Sequence, residues 1–187
     1  QEGGLAYYAM EYVEGVSLRR AMAERDLTSE ETASLVEKVA RALHFAHTHG
    51  IVHRDVKPEN VVMRDGEPQV MDFGLAHDIG SNERLTLAGQ VMGTLAYMAP
   101  EQARGELSRV DARSDVYSLG AVLYELTTGR PPFQGGCVAD LIRRVAHESA
   151  PSPREAAPGL PVALEAICLK AMDPDPRRRY PHAGGLG

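Results

Sequence analysis

The chain has 187 residues, 43% of them hydrophobic and 25% charged, a balance that suits one folded domain with a substantial core. Its formal net charge of -6 argues against a nucleic-acid or anionic-membrane surface, either of which needs a clustered basic face. The two cysteines, Cys137 and Cys168, form no CxxC pair. That excludes a disulfide framework or a zinc knuckle and fits a reducing compartment.

The opening residues 5–13, Leu-Ala-Tyr-Tyr-Ala-Met-Glu-Tyr-Val, read as a buried strand running into a turn at Glu14-Gly15. A short helix is expected from Ser17 to about Glu24. Thr28 with Glu31 three residues on is a capping-box pair, and Val36, Val39, Ala40, Leu43 and His47 then recur at helical spacing up to Gly50. Ile51-Val52, Val61-Val62-Met63 and Gln69-Val70-Met71 are strand candidates, with Asp65-Gly66 as a hairpin turn between the last two. Residues 72–101 are polar and irregular, too long for an idle connection, and read as a functional loop. Beyond them, residues 115–126 form a strongly apolar helix stopped by Gly129, and residues 138–145 and 161–172 are further helix candidates. Turn-rich links at Ala150-Pro151-Ser152-Pro153 and Ala157-Pro158-Gly159 join them.

The chemistry concentrates in His53-Arg54-Asp55-Val56-Lys57-Pro58-Glu59-Asn60, followed by Asp72-Phe73-Gly74. Phosphoryl transfer asks a protein for positioning and charge neutralisation rather than covalent work. Asp55 is placed to accept a hydrogen bond, and then a proton, from an incoming hydroxyl, and Lys57 is a cation for the transferring phosphate. Asn60 and Asp72 offer the hard oxygen ligands that magnesium prefers. Each residue alone reads as a turn, cap or surface residue. Four of them in this order, with Pro58 stiffening the loop and Gly74 freeing the backbone, do not. Histidines 44, 47, 49 and 53 lack the carboxylate or cysteine partners of a zinc site.

With Ala99-Pro100-Glu101 as a third landmark, the order H-R-D, D-F-G, A-P-E resembles a eukaryotic-type serine/threonine protein kinase, and the bacterial branch of that family in particular. The resemblance implies an α+β, mainly α fold: residues 1–15 as the last small-lobe strand and hinge, and residues 16–187 as the helical large lobe with its last helix cut. It implies ATP and Mg2+ as cofactors, with the metal on Asn60 and Asp72. Met10 falls at the gatekeeper position, the backbones of Glu11 and Val13 at the adenine edge, Val62 at the adenine floor and Ser17 near the ribose. Thr94 is expected to hydrogen-bond toward Asp55 and Lys57, Glu101 to form a buried ion pair with Arg179, and Asp115 to brace the catalytic loop from below. His53 becomes a packing residue against Phe73. Arg54 is the arginine tied to control by loop phosphorylation, with Thr86 as the preferred acceptor and Ser81 second.

Lys57 within K-P-E-N and Gly93-Thr94 ahead of Tyr97 point to serine or threonine hydroxyls of protein substrates, and to self-phosphorylation in trans. No Gly-rich loop is present, and the only lysines, Lys38, Lys57 and Lys170, do not include a small-lobe strand lysine. The chain, opening on Gln1 and closing on Gly187 without a stop signal, reads as a segment of a longer kinase. No stretch nears the roughly 20 apolar residues of a membrane span. The segment is therefore expected to be cytoplasmic without membrane contact. The alternatives are a pseudokinase or interaction module that docks through its helical lobe, and a small-molecule kinase. Lys57, Phe73-Gly74 and Ala99-Pro100-Glu101 speak against the latter.

Overall fold

The computed structural model describes residues 12–73 and 93–186. In chain order they form β1 (Val16–Ser17), α1 (Leu18–Glu24), α2 (Ser29–Thr48), a 3-10 turn at Pro58–Asn60, β2 (Val61–Arg64) and β3 (Glu67–Val70). There follow α3 (Pro100–Ala103), α4 (Ala112–Thr128), α5 (Val138–His147), α6 (Pro153–Ala156) and α7 (Val162–Ala171). The fold is mainly helical, with one small antiparallel sheet in the order β1-β2-β3.

α2 begins where its sequence says it should. The Thr28 hydroxyl accepts from the Glu31 N–H at 3.2 Å, and the Glu31 carboxylate accepts from the Thr28 N–H at 2.9 Å, so two of the helix's orphan donors are satisfied. Its apolar stripe, Leu35, Val36, Val39, Ala40, Leu43 and Ala46, is buried against α4. α4 is the centre of the molecule. Residues 114–125 are all buried, as expected of a helix that is apolar nearly all round. Asp111 caps its start through the Arg113 N–H, and Gly129 ends it at a φ of 73°, a left-handed conformation that costs glycine nothing. α7 packs across it at Gly120, where an added Cβ would lie 2.8 Å from the Ala171 side chain. Only a glycine lets these two helices approach so closely.

The hairpin β2–β3 pairs Val61 with Val70 and Arg64 with Glu67. Asp65 and Gly66, at φ 51° and 82°, make the two-residue turn whose twist matches that of the strands. β1 adds to its other edge, with Ser17 opposite Val62, a pairing too short to show as an alternating pattern in sequence.

The expected strand at Ile51-Val52 is absent: both residues are irregular, and Ile51 is 46% exposed. The Ile51 N–H is consumed by the helix before it, donating to the Ala46 carbonyl at 3.0 Å, while Gly50 at φ 76° turns the chain away. The apolar helix also starts earlier than expected, at Ala112, so Asp115 lies in its first turn rather than at its cap. The strand expected over residues 5–13 lies outside the described residues except for Tyr12 and Val13, which are irregular. Among the described residues no helix is long and apolar enough to cross a membrane.

Candidate active site

Residues 53–60 leave α2 as a loop whose backbone is held from below by one buried carboxylate. Asp115, fully buried on α4, accepts from the backbone N–H of His53 at 2.8 Å and of Arg54 at 2.7 Å. His47 on α2 adds its Nε2 at 2.8 Å to the same carboxylate. Three donors on one buried acid supply the compensation a desolvated charge needs. The expected brace is present, and sequence reasoning missed its third member. His47 lies four residues after Leu43 on the apolar face, where a polar ring calls for a buried partner.

His53 fixes the loop from within. Its Nε2 lies 2.7 Å from the Met71 carbonyl, so that nitrogen carries the proton, and its Nδ1 then accepts from the Asp55 N–H at 3.3 Å. The ring also packs on Phe73, with centroids 4.8 Å apart. One buried neutral imidazole therefore ties Asp55 to the segment that carries Asp72. Arg54 and Asp72 both adopt left-handed backbone, at φ 68° and 62°. For residues with a Cβ this is strain of about 1–2 kcal/mol each, which at Arg54 is offset by the hydrogen bonds of its N–H to Asp115 and of its carbonyl to Gln102.

Above this foundation stand the polar side chains. Lys57 Nζ donates to the Asp55 carboxylate at 2.8 Å and to the Thr94 hydroxyl at 3.1 Å. Asn60 donates from Nδ2 to the Asp55 carbonyl at 2.8 Å and to its carboxylate at 3.1 Å. Asp55 is thus presented by two donors, one of them the cation Lys57, which also reaches Thr94.

The donor set fits magnesium. Both Asn60 contacts use its Nδ2, so its Oδ1 is the oxygen the amide could offer a metal, and the Met71 N–H donates to the Asn60 carbonyl at 2.8 Å, tying the residue before exposed Asp72 to Asn60. One amide oxygen and one carboxylate leave most of an octahedron to phosphates and water, as magnesium prefers. No cluster of three or more His, Cys, Asp or Glu side chains exists among the described residues, so nothing there suits zinc.

A second polar cluster flanks the loop and was not anticipated. Arg19 on α1 donates to Glu59 at 2.8 Å, to Glu125 on α4 at 2.6 Å and to the Tyr97 hydroxyl, which itself donates to Glu125. Burial raises the Tyr97 phenol far above its ordinary value, and Glu125 beside it adds to the shift. Four residues from four segments converge here, which no local pattern could reveal.

Of the remaining candidates, Ser17 caps α1, its hydroxyl accepting from the Arg20 N–H at 3.3 Å. Val62 lies on β2 and Val13 just before β1, both half-buried. Met10, Glu11, Ser81 and Thr86 lie outside the described residues. Glu101 and Arg179 form the expected buried ion pair, at 2.8 and 2.9 Å.

A helical lobe centred on one buried helix, whose aspartate holds an Asp-Lys-Asn loop, defines a kinase-type fold. The chain belongs to the protein kinase domain family, which matches residues 2–181. It is 42% identical over 186 residues to serine/threonine-protein kinase PknB of Mycobacterium leprae, covering 98% of this chain and 30% of the relative. It is 43% identical over 187 residues to the Mycobacterium tuberculosis PknB, with the same coverage. Among solved structures it is similar to the kinase domain of Mycobacterium tuberculosis PknI, at a TM-score of 0.72 and 28% identity, covering 95% of this chain and 61% of that one. The chain thus spans about a third of the length of these curated relatives.

Proposed function

We propose that this chain carries the large lobe of an ATP-dependent protein serine/threonine kinase, with residues 1–15 contributing the last small-lobe strand and the hinge. The observation that carries the reading is the Lys57 ammonium bridging Asp55 and Thr94, with Asn60 holding Asp55 from the other side. Magnesium ATP, when bound, supplies the γ-phosphoryl group and the charge neutralisation of its oxygens. Asn60 and Asp72 would hold the metal, and the backbones of Glu11 and Val13, beside Met10, would bind the adenine edge. Val62 would floor the base and Ser17 would meet the ribose.

Asp55 would accept a hydrogen bond from the acceptor serine or threonine hydroxyl and take its proton as the new P–O bond forms and the bond between the γ-phosphorus and the β–γ bridging oxygen breaks, with ADP leaving on that oxygen. Lys57 stabilises negative charge on the group in transit, and its bond to Thr94 fixes its direction. Thr94 also shapes the ground on which the acceptor residue lies. A phosphate on Thr86 would pair with the Arg54 guanidinium. Protein substrates, the kinase itself in trans among them, are the acceptors, and the catalytic lobe works in the cytoplasm.

The test uses the full-length gene product with Mg-ATP and a generic protein substrate. Serine and threonine phosphorylation should appear and should fall by at least about a hundredfold in Asp55→Asn, the loss typical of removing a positioned acid-base group. Transfer that persists in Asp55→Asn would overturn the assignment of Asp55. A wild-type protein that transfers nothing and does not bind Mg-ATP would replace the enzyme reading with that of a docking module.

A further inference from the structure

Arg54 is the strained residue of the loop, and its two peptide groups are held from two different elements. Its N–H is taken by Asp115 at 2.7 Å. Its carbonyl is taken by the side chain of Gln102, whose Nε2 donates at 2.9 Å. That carbonyl belongs to the same peptide plane as the Asp55 N–H, which donates to His53. Both ends of the plane that precedes Asp55 are therefore pinned, and rotation of that plane would swing the Asp55 side chain off Lys57 and Asn60.

The Gln102 amide can serve in only one orientation. Its Oε1 accepts from the Ala99 N–H at 3.0 Å, the orphan donor at the start of α3, while its Nε2 faces the Arg54 carbonyl. A flipped amide would set donor against donor and oxygen against oxygen. α3 is itself fixed by the neighbouring residue, Glu101, through its buried pair with Arg179. A continuous chain of contacts therefore runs from Arg179 through Glu101, Gln102 and the Arg54 carbonyl to Asp55.

We infer that Gln102 is a positioning residue for phosphoryl transfer: its amide couples the placement of the Ala99-Pro100-Glu101 segment to the direction of Asp55. The inference rests on the proposed kinase activity. Gln102 touches neither the metal ligands Asn60 and Asp72 nor Lys57, so its effect should fall on turnover and not on nucleotide affinity.

The discriminating variant is Gln102→Glu in the full-length protein. A carboxylate still accepts from Ala99 but cannot donate to Arg54, so the helix cap survives and the clamp is lost. The expected result is a fall in kcat of about tenfold or more with KM for ATP within about twofold, the signature of a displaced reacting group in an intact binding site. In parallel, amide exchange in the peptide spanning residues 53–57 should quicken by about tenfold, a readout independent of activity. Gln102→Met, which removes both hydrogen bonds without adding charge, gives the same two readouts if the glutamate variant does not fold. Unchanged exchange with unchanged kcat overturns the inference. So does a loss of thermal stability with kcat preserved below the transition, which would make Gln102 a helix cap alone. Quickened exchange in a protein whose wild type transfers no phosphate would instead sink the kinase reading, leaving the Gln102 contact as found.

Discussion

Glu101 and Arg179 face each other as a two-pronged ion pair in which neither side chain reaches solvent. Ser114 donates a third bond to Glu101 at 2.7 Å, and Arg179 spends its other donors on the Arg113, Asp173 and Pro174 carbonyls. Burial alone would push the Glu101 carboxyl up, but the hydrogen bonds and charge of Arg179, with Ser114, bring it below its ordinary 4.5. A carboxylate with a lowered folded pKa contributes stability that is fully present above its unfolded value and is lost as pH falls through the folded one. Unfolding followed by urea should therefore show stability falling away below about pH 4.5, and the fall should be shallower once the pair is gone.

Removing one partner, as in Arg179→Leu, leaves an uncompensated buried carboxylate and should cost about 3–5 kcal/mol. Replacing both with apolar side chains of similar volume should cost markedly less. Urea midpoints of the two singles and the double would decide it; a double variant as damaged as the sum of the singles would mean that the two side chains are not coupled, and would contradict their mutual dependence.

Asp115 presents a different kind of dependence, because it satisfies backbone and not charge. In Asp115→Ala the N–H groups of His53 and Arg54 and the His47 ring lose their common acceptor. Each unsatisfied buried donor costs about 1–3 kcal/mol, so a total near 3 kcal/mol or more is expected. Asp115→Asn keeps one oxygen but turns an amide donor toward another donor, and should fall between the two. Amide exchange at His53 and Arg54 is the direct check, and protection retained at both in the alanine variant would remove Asp115 from this role.

These dependences were unevenly legible in the sequence. The Thr28–Glu31 cap, the Asp65-Gly66 turn and the Asp55, Lys57 and Asn60 grouping are local in sequence, and local chemistry sets them. The Glu101–Arg179 pair and the Asp115 brace span 78 and 62 residues, and only resemblance to a family brought them within reach. The roles of Gln102, His47 and the Arg19 cluster were not read. Each is a polar side chain whose meaning lies in a partner from a distant segment, and only His47, a polar ring on an apolar helix face, carries a local sign of it. Ile51-Val52 failed for the opposite reason: its composition favours a strand, but the end of α2 had already claimed its backbone.

Arg19 makes two ion pairs that should differ in worth. Toward Glu125, whose side chain is 6% exposed, it compensates a nearly buried charge, whereas Glu59 is 43% exposed and Arg19 itself 37%. Glu59→Gln should change stability by no more than about 1 kcal/mol, the range of solvent-screened pairs. Arg19→Ala leaves Glu125, among the described residues, with the Tyr97 hydroxyl and should cost about 2 kcal/mol, less than a fully buried pair because water reaches the guanidinium. Thermal denaturation at low and high salt separates them: the Glu59 effect should vanish with screening and the Glu125 effect should persist. Equal losses from both variants would contradict the burial argument.

The two cysteines offer a reporter of how the core opens. Cys168 on α7 is buried against α4, its thiol pointing to the Gly120 carbonyl at 3.5 Å, and burial together with the charge of Glu165 pushes it up to about 12. At pH 8 such a thiol stays protonated, and the thiolate is the nucleophile. Cys137, at the start of α5, is exposed. A thiol reagent at pH 8 should therefore titrate one cysteine quickly in the native protein and both in denaturant. Cys137→Ser should remove the fast phase and leave only the slow one. Because the α4–α7 contact closes over Cys168 at Gly120, with no room there for an added side chain, the slow phase requires those helices to part. Its rate should rise with urea as steeply as global unfolding does, since a core residue exchanges only through large openings. Rapid labelling of Cys168 in the absence of denaturant would mean that α7 detaches on its own, and that the central helix is less firmly enclosed than its burial implies.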